Sequence, residues 1–90
     1  MSDIKKPTVH MNGSGKKRLV EQYSNAMHAL NSALAALNEA YPHGRDYYVQ
    51  GDGVIEAACK EQDARIKAVR NVRNDMMDIL RHLNTSTSQY

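Results

Sequence analysis

The residues best suited to specific chemistry lie in one polar stretch near the middle of the chain, between two long helical patterns. They are His43, Arg45, Asp46, Tyr47 and Tyr48. An arginine guanidinium offers a planar pair of donors to phosphate or carboxylate, and tyrosine rings stack on bases or on the side chains of a protein partner. The stretch therefore predicts a binding site for an anionic ligand or for a protein.

A structural role for the same residues stays open. Tyr47 and Tyr48 would then close one end of a helical bundle, while Arg45 and Asp46 pair with each other. Two adjacent tyrosines in a glycine-rich loop do not easily both point inward, which favours a binding role for at least one of them.

A second candidate site precedes the first helical pattern. Gly13–Arg18 contains Lys16 and Lys17 and follows His10 and Asn12. The segment is not a P-loop, because only one residue separates its two glycines and no strand precedes it. Three cations in the first turn of a helix oppose the helix dipole, so a bound anion would relieve their repulsion. The alternative is a solvated basic helix end whose repulsion is screened by salt.

The remaining reactive side chains predict neither catalysis nor a metal site. None of the four histidines is paired with another ligand at metal-binding spacing, and Cys59 falls in an apolar helical register, where it acts as a small hydrophobic residue. Ser14 and Ser24 have no evident base with an orienting acid. We expect a protein that is not an enzyme and that uses no metal and no cofactor.

Two helices are expected to position these sites. Apolar residues recur at spacings of three and four in the first half of the chain, which predicts a helix over about 16–40. Ser14 is the expected N-cap, and Pro42 ends the helix because the residue before a proline is pushed out of the α region. The resulting seam consists of Val20, Tyr23, Met27, Leu30, Leu34, Leu37 and Tyr41.

The same spacing resumes after Asp52, the expected N-cap of a second helix over about 53–83. A polar residue at a core position often fixes register or oligomeric state, so we expect this role for Gln62 and Arg73; lining a ligand pocket is the alternative. Residues four apart predict three weak ion pairs along the helix. These pairs are Glu56–Lys60, Glu61–Arg65 and Asp63–Lys67.

The 90 residues are predicted to form one all-α domain. Residues 1–15 form an extended N-terminal arm, 16–84 an antiparallel two-helix hairpin with its loop at 41–52, and 85–90 a disordered tail. The formal charge of +2 is too small to act as an electrostatic footprint for nucleic acid. The sequence shows no signal peptide or membrane span and has a single cysteine, so we expect a cytoplasmic protein.

A hairpin of two helices buries one stripe per helix, which rarely suffices for a stable fold. We therefore expect a four-helix-bundle dimer or a higher oligomer. In one hairpin the start of the first helix and the loop lie at opposite ends, nearly 40 Å apart at ~1.5 Å per residue. Antiparallel pairing would bring the arm of one copy beside the loop of another, which would join the two candidate sites into a composite site.

Two short motifs resemble segments of small proteins encoded by tailed phages and prophages, most of them without assigned function. The motifs are His10-Met11-Asn12-Gly13 and Gly44-Arg45-Asp46-Tyr47-Tyr48, with a helix beginning near Lys17, and the resemblance covers about residues 9–83. It implies an accessory protein of the host cytoplasm that binds a host or phage component in stoichiometric amount, in host takeover or counter-defence. It brings no catalytic role with it.

Three functions follow as expectations. Stoichiometric protein–protein binding is the leading one. The alternative is sequestration of a small nucleotide or other anion by Lys16, Lys17, Arg45, Tyr47 and Tyr48. A third is weak nucleic-acid binding along the basic side of the second helix, at Lys60, Lys67, Arg70, Arg73 and Arg81.

Overall fold

The computed structural model describes residues 4–8 and 14–86, and in this part of the chain two long α-helices pack as a hairpin. Helix α1 spans Ser14–Glu39 and helix α2 spans Val54–Ser86. Two short 3-10 turns, Gly44–Asp46 and Tyr48–Gln50, lie between them. No strand occurs among the described residues, so the prediction of an all-α hairpin is confirmed. Neither helix contains a stretch long and apolar enough to cross a membrane.

The helix ends differ from those predicted by the apolar spacing. Ser14 is the first residue of α1 and not the cap that precedes it. At the other end of the chain, α2 continues to Ser86, through residues expected in the tail. The Thr85 hydroxyl lies 3.1 Å from the carbonyl oxygens of both Arg81 and His82, so this side chain bonds within the helix.

A glycine, and not Asp52, occupies the N-cap position of α2. The first bond of the helix runs from the Ala57 N–H to the Gly53 carbonyl at 3.1 Å, and the residue whose carbonyl accepts that bond is the N-cap. Gly53 has a φ of 85° and Gly51 a φ of 108°, a region in which a Cβ atom is strained. The positive φ angles of Gly51 and Gly53 therefore direct the chain from the loop to the start of α2.

Three side-chain hydrogen bonds hold the two arms of the hairpin in register. Gln62 and Arg73, the two polar residues predicted at core positions of the second helix, both take part, so each connects α2 to α1. The bonds run from Tyr41 to Asp63 (2.8 Å), from Gln62 to the Leu37 carbonyl (2.8 Å) and from Arg73 to Asn31 (3.2 Å).

The core is a thin line of residues along this contact. The buried hydrophobic residues are Leu34, Ile66, Ile79 and Leu83, and Gln62 is buried with them. The Cα atoms extend over 62 × 23 × 12 Å, with a radius of gyration of 18.9 Å. A compact domain of this length would have a radius of about 12 Å. The hairpin is therefore a single layer of helices, without the second layer that usually covers a core.

The N-terminal segment 4–8 lies against the end of α2. Ile4 packs on the cluster formed by Ile79 and Leu83, and His82 Nε2 lies 2.9 Å from the Pro7 carbonyl. The carbonyl can only accept, so Nε2 carries the proton of this bond. Val9 and Met11, the apolar residues that follow in the predicted arm, fall outside the described residues.

Only one of the three predicted helix ion pairs forms within the described residues. Arg65 lies 3.8 Å from Glu61, whereas neither Glu56–Lys60 nor Asp63–Lys67 comes within the 4.0 Å of an ion pair. Asp63 accepts the bond from Tyr41 instead. The predictions of Glu56–Lys60 and Asp63–Lys67 were wrong because exposed ion pairs gain little, and the Asp63 carboxylate accepts a hydrogen bond from a neutral donor instead.

Candidate functional site

One end of the hairpin, here called the tip, consists of residues 43–50 and presents two large apolar side chains to solvent. Tyr48 and Val49 are each 77% exposed, whereas Tyr47 is half-buried. Arg45 and Asp46 are exposed, and no ion pair joins them in the described structure. The two adjacent tyrosines thus have different surroundings, and Tyr48 is the one available to a partner.

Backbone hydrogen bonds fix the shape of the tip. Asp46 donates to the His43 carbonyl at 3.0 Å, Tyr47 to Gly44 at 3.0 Å and Gln50 to Tyr47 at 2.9 Å. These bonds close two successive turns of 3-10 helix. Tyr48 and Val49 are therefore held outward by local backbone geometry.

Tyr41 anchors the loop to α2 just below the tip. Its hydroxyl donates to Asp63 at 2.8 Å. This hydrogen bond, partial desolvation and the negative charge of Asp63 raise the pKa of Tyr41 to about 12, with a smaller contribution from nearby Cys59. Tyr41 therefore remains a neutral donor well above the pH at which a free tyrosine ionises.

A groove of about 600 Å³ lies at the opposite end of the hairpin. It contains Lys16 and Lys17, two of the candidate anion-binding residues named from the sequence, and is here called the basic groove. Val20 provides an apolar patch, and Glu21 the one carboxylate among its lining residues. The full lining is Lys16, Lys17, Val20, Glu21, Ser24, Asn25, His28 and Asn84.

Sequence reasoning missed most of this groove, although a signal was present. Lys17, Glu21, Ser24 and His28 recur at spacings of four, three and four, which marks one polar stripe of a helix. Asn84 has no such signal. It reaches the groove only because antiparallel packing places the end of α2 beside the start of α1.

The predicted site residues do not meet within one chain. Lys16 and Lys17 lie at the start of α1, whereas His43, Arg45 and the other tip residues follow its end. The 26 residues of α1 separate the two groups by about 39 Å. His10 and Asn12 fall outside the described residues.

The two ends of the hairpin carry opposite charge. Around the tip, one arginine opposes four carboxylates, a net charge of −3, from Arg45 against Glu39, Asp46, Asp52 and Glu56. Among the described residues of the groove end, six cations oppose two carboxylates, a net charge of +4, from Lys5, Lys6, Lys16, Lys17, Arg18 and Arg81 against Glu21 and Asp78. The chain is thus strongly polarised along its length, although its overall charge is only +2.

The basic side of α2 is less available than the sequence suggests. Arg73 is half-buried and bonds Asn31 and Asn74, at 3.2 and 3.3 Å. Arg81 pairs with Asp78 at 3.0 Å. Lys60, Lys67 and Arg70 remain exposed, which leaves a weaker cationic surface for nucleic acid.

Residues 4–8 and 14–86 include no group of three His, Cys, Asp or Glu side chains arranged to hold a metal ion. Comparisons with known protein families, with curated proteins and with solved structures find no match to this chain. The molecule is thus defined by its own geometry, as a one-layer helical hairpin with an apolar tip and a basic groove at opposite ends.

Proposed function

We propose that the protein is a non-enzymatic helical binding protein, which assembles with itself and acts by stoichiometric binding of a protein partner. The observation that carries this proposal is the incomplete burial of its two apolar seams. Residues that would be core in a larger domain are half-buried or exposed along the whole hairpin. This apolar stripe consists of Val20, Tyr23, Met27, Leu30, Leu37, Ile55, Val69, Val72, Met76 and Leu80.

The chain exposes more surface to solvent than a compact folded chain of the same size. The chain has an accessible surface of 6627 Å², whereas a compact folded chain of this size has about 5300 Å². The excess of roughly 1300 Å² is the additional surface of an elongated, one-layer chain, and a typical stable interface buries ~800 Å² per partner. A second hairpin laid on the stripe would supply the missing layer and complete a four-helix bundle.

The phage-type motifs support a host or phage protein as the further partner of the assembled bundle. Host takeover or counter-defence, in the host cytoplasm, is the setting that we propose on that basis. A binding role also agrees with the chemistry described above, since cations suit anionic partners and the exposed tyrosine suits a protein partner.

Native mass spectrometry and sedimentation over a hundredfold range of protein concentration test this proposal. We expect a dimer or larger multimer that dissociates on dilution, with a Tm that rises with concentration because association stabilises the folded chain. A monomer with the same Tm at every concentration would contradict self-assembly and the bundle argument with it.

A second candidate function is sequestration of a small anion, and the basic groove favours it. A volume of about 600 Å³ is in the range of small-molecule sites. Lys17, Ser24 and His28 offer a charge and hydrogen-bond donors to a phosphate or carboxylate. Native spectra of gently purified protein would then show added mass that is lost on denaturation. Lys17→Ala should remove this mass, whereas Lys67→Ala, at an exposed site in the middle of α2, should retain it.

A further inference from the structure

We infer that two copies pair antiparallel, so that the tip of each hairpin docks in the basic groove of the other. This inference rests on the self-assembly proposed above and specifies its geometry. It assigns the exposed pair Tyr48 and Val49 to a contact between copies. Each groove would then be a site that is complete only in the dimer.

The dimensions of the hairpin permit this contact. Val20 lies about 21 Å from Leu34 along α1. In the other direction, Asp63 is level with Tyr41, and the turn Tyr48–Gln50 contacts α2 and is separated from its first residue, Val54, by only three residues. The tip is therefore about 24 Å beyond Leu34 at ~1.5 Å per residue. A two-fold axis near Leu34, the middle of the apolar stripe, brings each tip level with the Val20 region of the other copy.

The charge distribution selects the same orientation. An antiparallel dimer places the loop end of each hairpin, where residues 39–56 carry a net charge of −3, beside a groove end of +4. A parallel dimer would place like charges together at both ends. Because helix α1 has no acidic residue in its first turn, the carboxylate of Asp46 in a partner's tip would also offset the repulsion between its basic residues and the helix dipole.

The side chains of the tip and those of the basic groove are chemically complementary. Val20 gives Val49 an apolar contact inside the groove, and the ring of Tyr48 offers its face to the ammonium group of Lys17. Asp46, one residue before Tyr47, brings a carboxylate to the same cation. Burying one exposed tyrosine side chain in each groove removes roughly 150–250 Å² of accessible surface per side chain.

Crosslinking of mixed single-cysteine proteins tests the orientation. Cys59, the natural cysteine, is first replaced by serine. Ser24→Cys then places a thiol in the groove and Val49→Cys places one at the tip. In one chain these positions are about 39 Å apart along the hairpin, so a short bismaleimide can join them only between copies. We expect crosslinked dimers when the two proteins are mixed, and few from either protein alone.

A charge-reversal cycle tests the contact itself. Lys17→Glu and Asp46→Lys should each weaken dimerisation about tenfold at low salt, because the ion pair occurs twice per dimer. The double variant should recover wild-type affinity to within about twofold, since the pair is restored with its charges exchanged. Lys67→Glu is the matched control, because it changes the net charge as Lys17→Glu does and leaves both ends intact.

The outcomes separate this inference from the proposed function. If Val49→Cys alone crosslinks efficiently, the dimer is parallel and the inference is wrong, although self-assembly stands. The inference is also wrong if the double variant is as weak as the sum of its single changes. If the wild-type chain is monomeric at all concentrations, the proposed function and the inference fail together.

Discussion

At the scale of single residues, Gln62 shows why a polar side chain occupies a core position. The last four carbonyls of an α-helix lack partners within the helix. In α1, which ends at Glu39, one of these belongs to Leu37, and Gln62 Nε2 donates to it at 2.8 Å. Gln62 Oε1 accepts from Arg65 at 2.9 Å. Gln62 thus caps α1 from the neighbouring helix.

Gln62→Leu keeps most of the volume of the side chain and removes its donor. We expect a loss of about 1–2 kcal/mol in the free energy of unfolding, because the Leu37 carbonyl is left without its partner. Gln22→Leu, at an exposed position of α1, is the matched control and should change stability by less than ~0.5 kcal/mol. Urea unfolding at a fixed protein concentration measures both. Equal effects of the two changes would refute the capping role.

The stability of the folded chain should depend on pH through Tyr41. Its pKa is about 12 in the folded chain against 10.0 for an ordinary tyrosine. The folded state therefore holds this proton more tightly than the unfolded state does, so the contribution to stability is complete below pH 10.0 and disappears as pH rises through about 12. Tyrosinate absorbance should show one of the five tyrosines ionising late. Tyr41→Phe should remove that late step; a late step that persists would place the shift on another tyrosine.

At the scale of elements, the helices could be predicted because their signal is repeated many times. Spacings of three and four over more than twenty residues rarely arise by chance, and Pro42 supplied an independent stop. The start of α2 depended instead on one residue. Asp52 and Gly53 both suit an N-cap, and only the backbone conformation of Gly53 decides between them.

The sites were harder to predict than the helices, because they depend on how elements meet. Tyr47 and Tyr48 are identical in type and adjacent, yet the 3-10 turns leave one half-buried and the other 77% exposed. Asn84 joins the basic groove from another helix. No local pattern predicts the position of Asn84, since it arises from the relative register of α1 and α2.

The N-terminal segment is an element in its own right, although it has no regular secondary structure. Ile4→Ala should lower the free energy of unfolding by about 1 kcal/mol, since a half-buried side chain loses part of its contact with Ile79 and Leu83. Lys5→Ala is the control at an exposed neighbour. Hydrogen exchange should be faster near Leu83 in the Ile4 variant alone. If both variants exchange alike there, the segment does not cover the end of α2.

At the scale of the whole molecule, the same apolar surface should contribute both to the stability of the fold and to self-assembly. Only four hydrophobic side chains are buried within the described hairpin, so most of the apolar seam contributes fully only when a second layer covers it. The opposite charges of the two ends should contribute little to the free energy of dimerisation, because surface charges are screened within about 8 Å at physiological salt. Apolar burial should therefore set the affinity of the dimer, whereas charge sets its orientation.

A substitution at Val72 distinguishes the contribution of apolar burial from that of charge. It is 47% exposed, so Val72→Lys should leave the isolated hairpin nearly intact and still weaken dimerisation about tenfold, since two copies of the apolar contact are lost. Asn71→Lys adds the same charge at an exposed position outside the apolar stripe of α2, and serves as the control. Sedimentation should show a shift for the valine variant that added salt does not reverse. A shift of equal size for Asn71→Lys, reversed by salt, would mean that net charge and not the apolar stripe governs assembly.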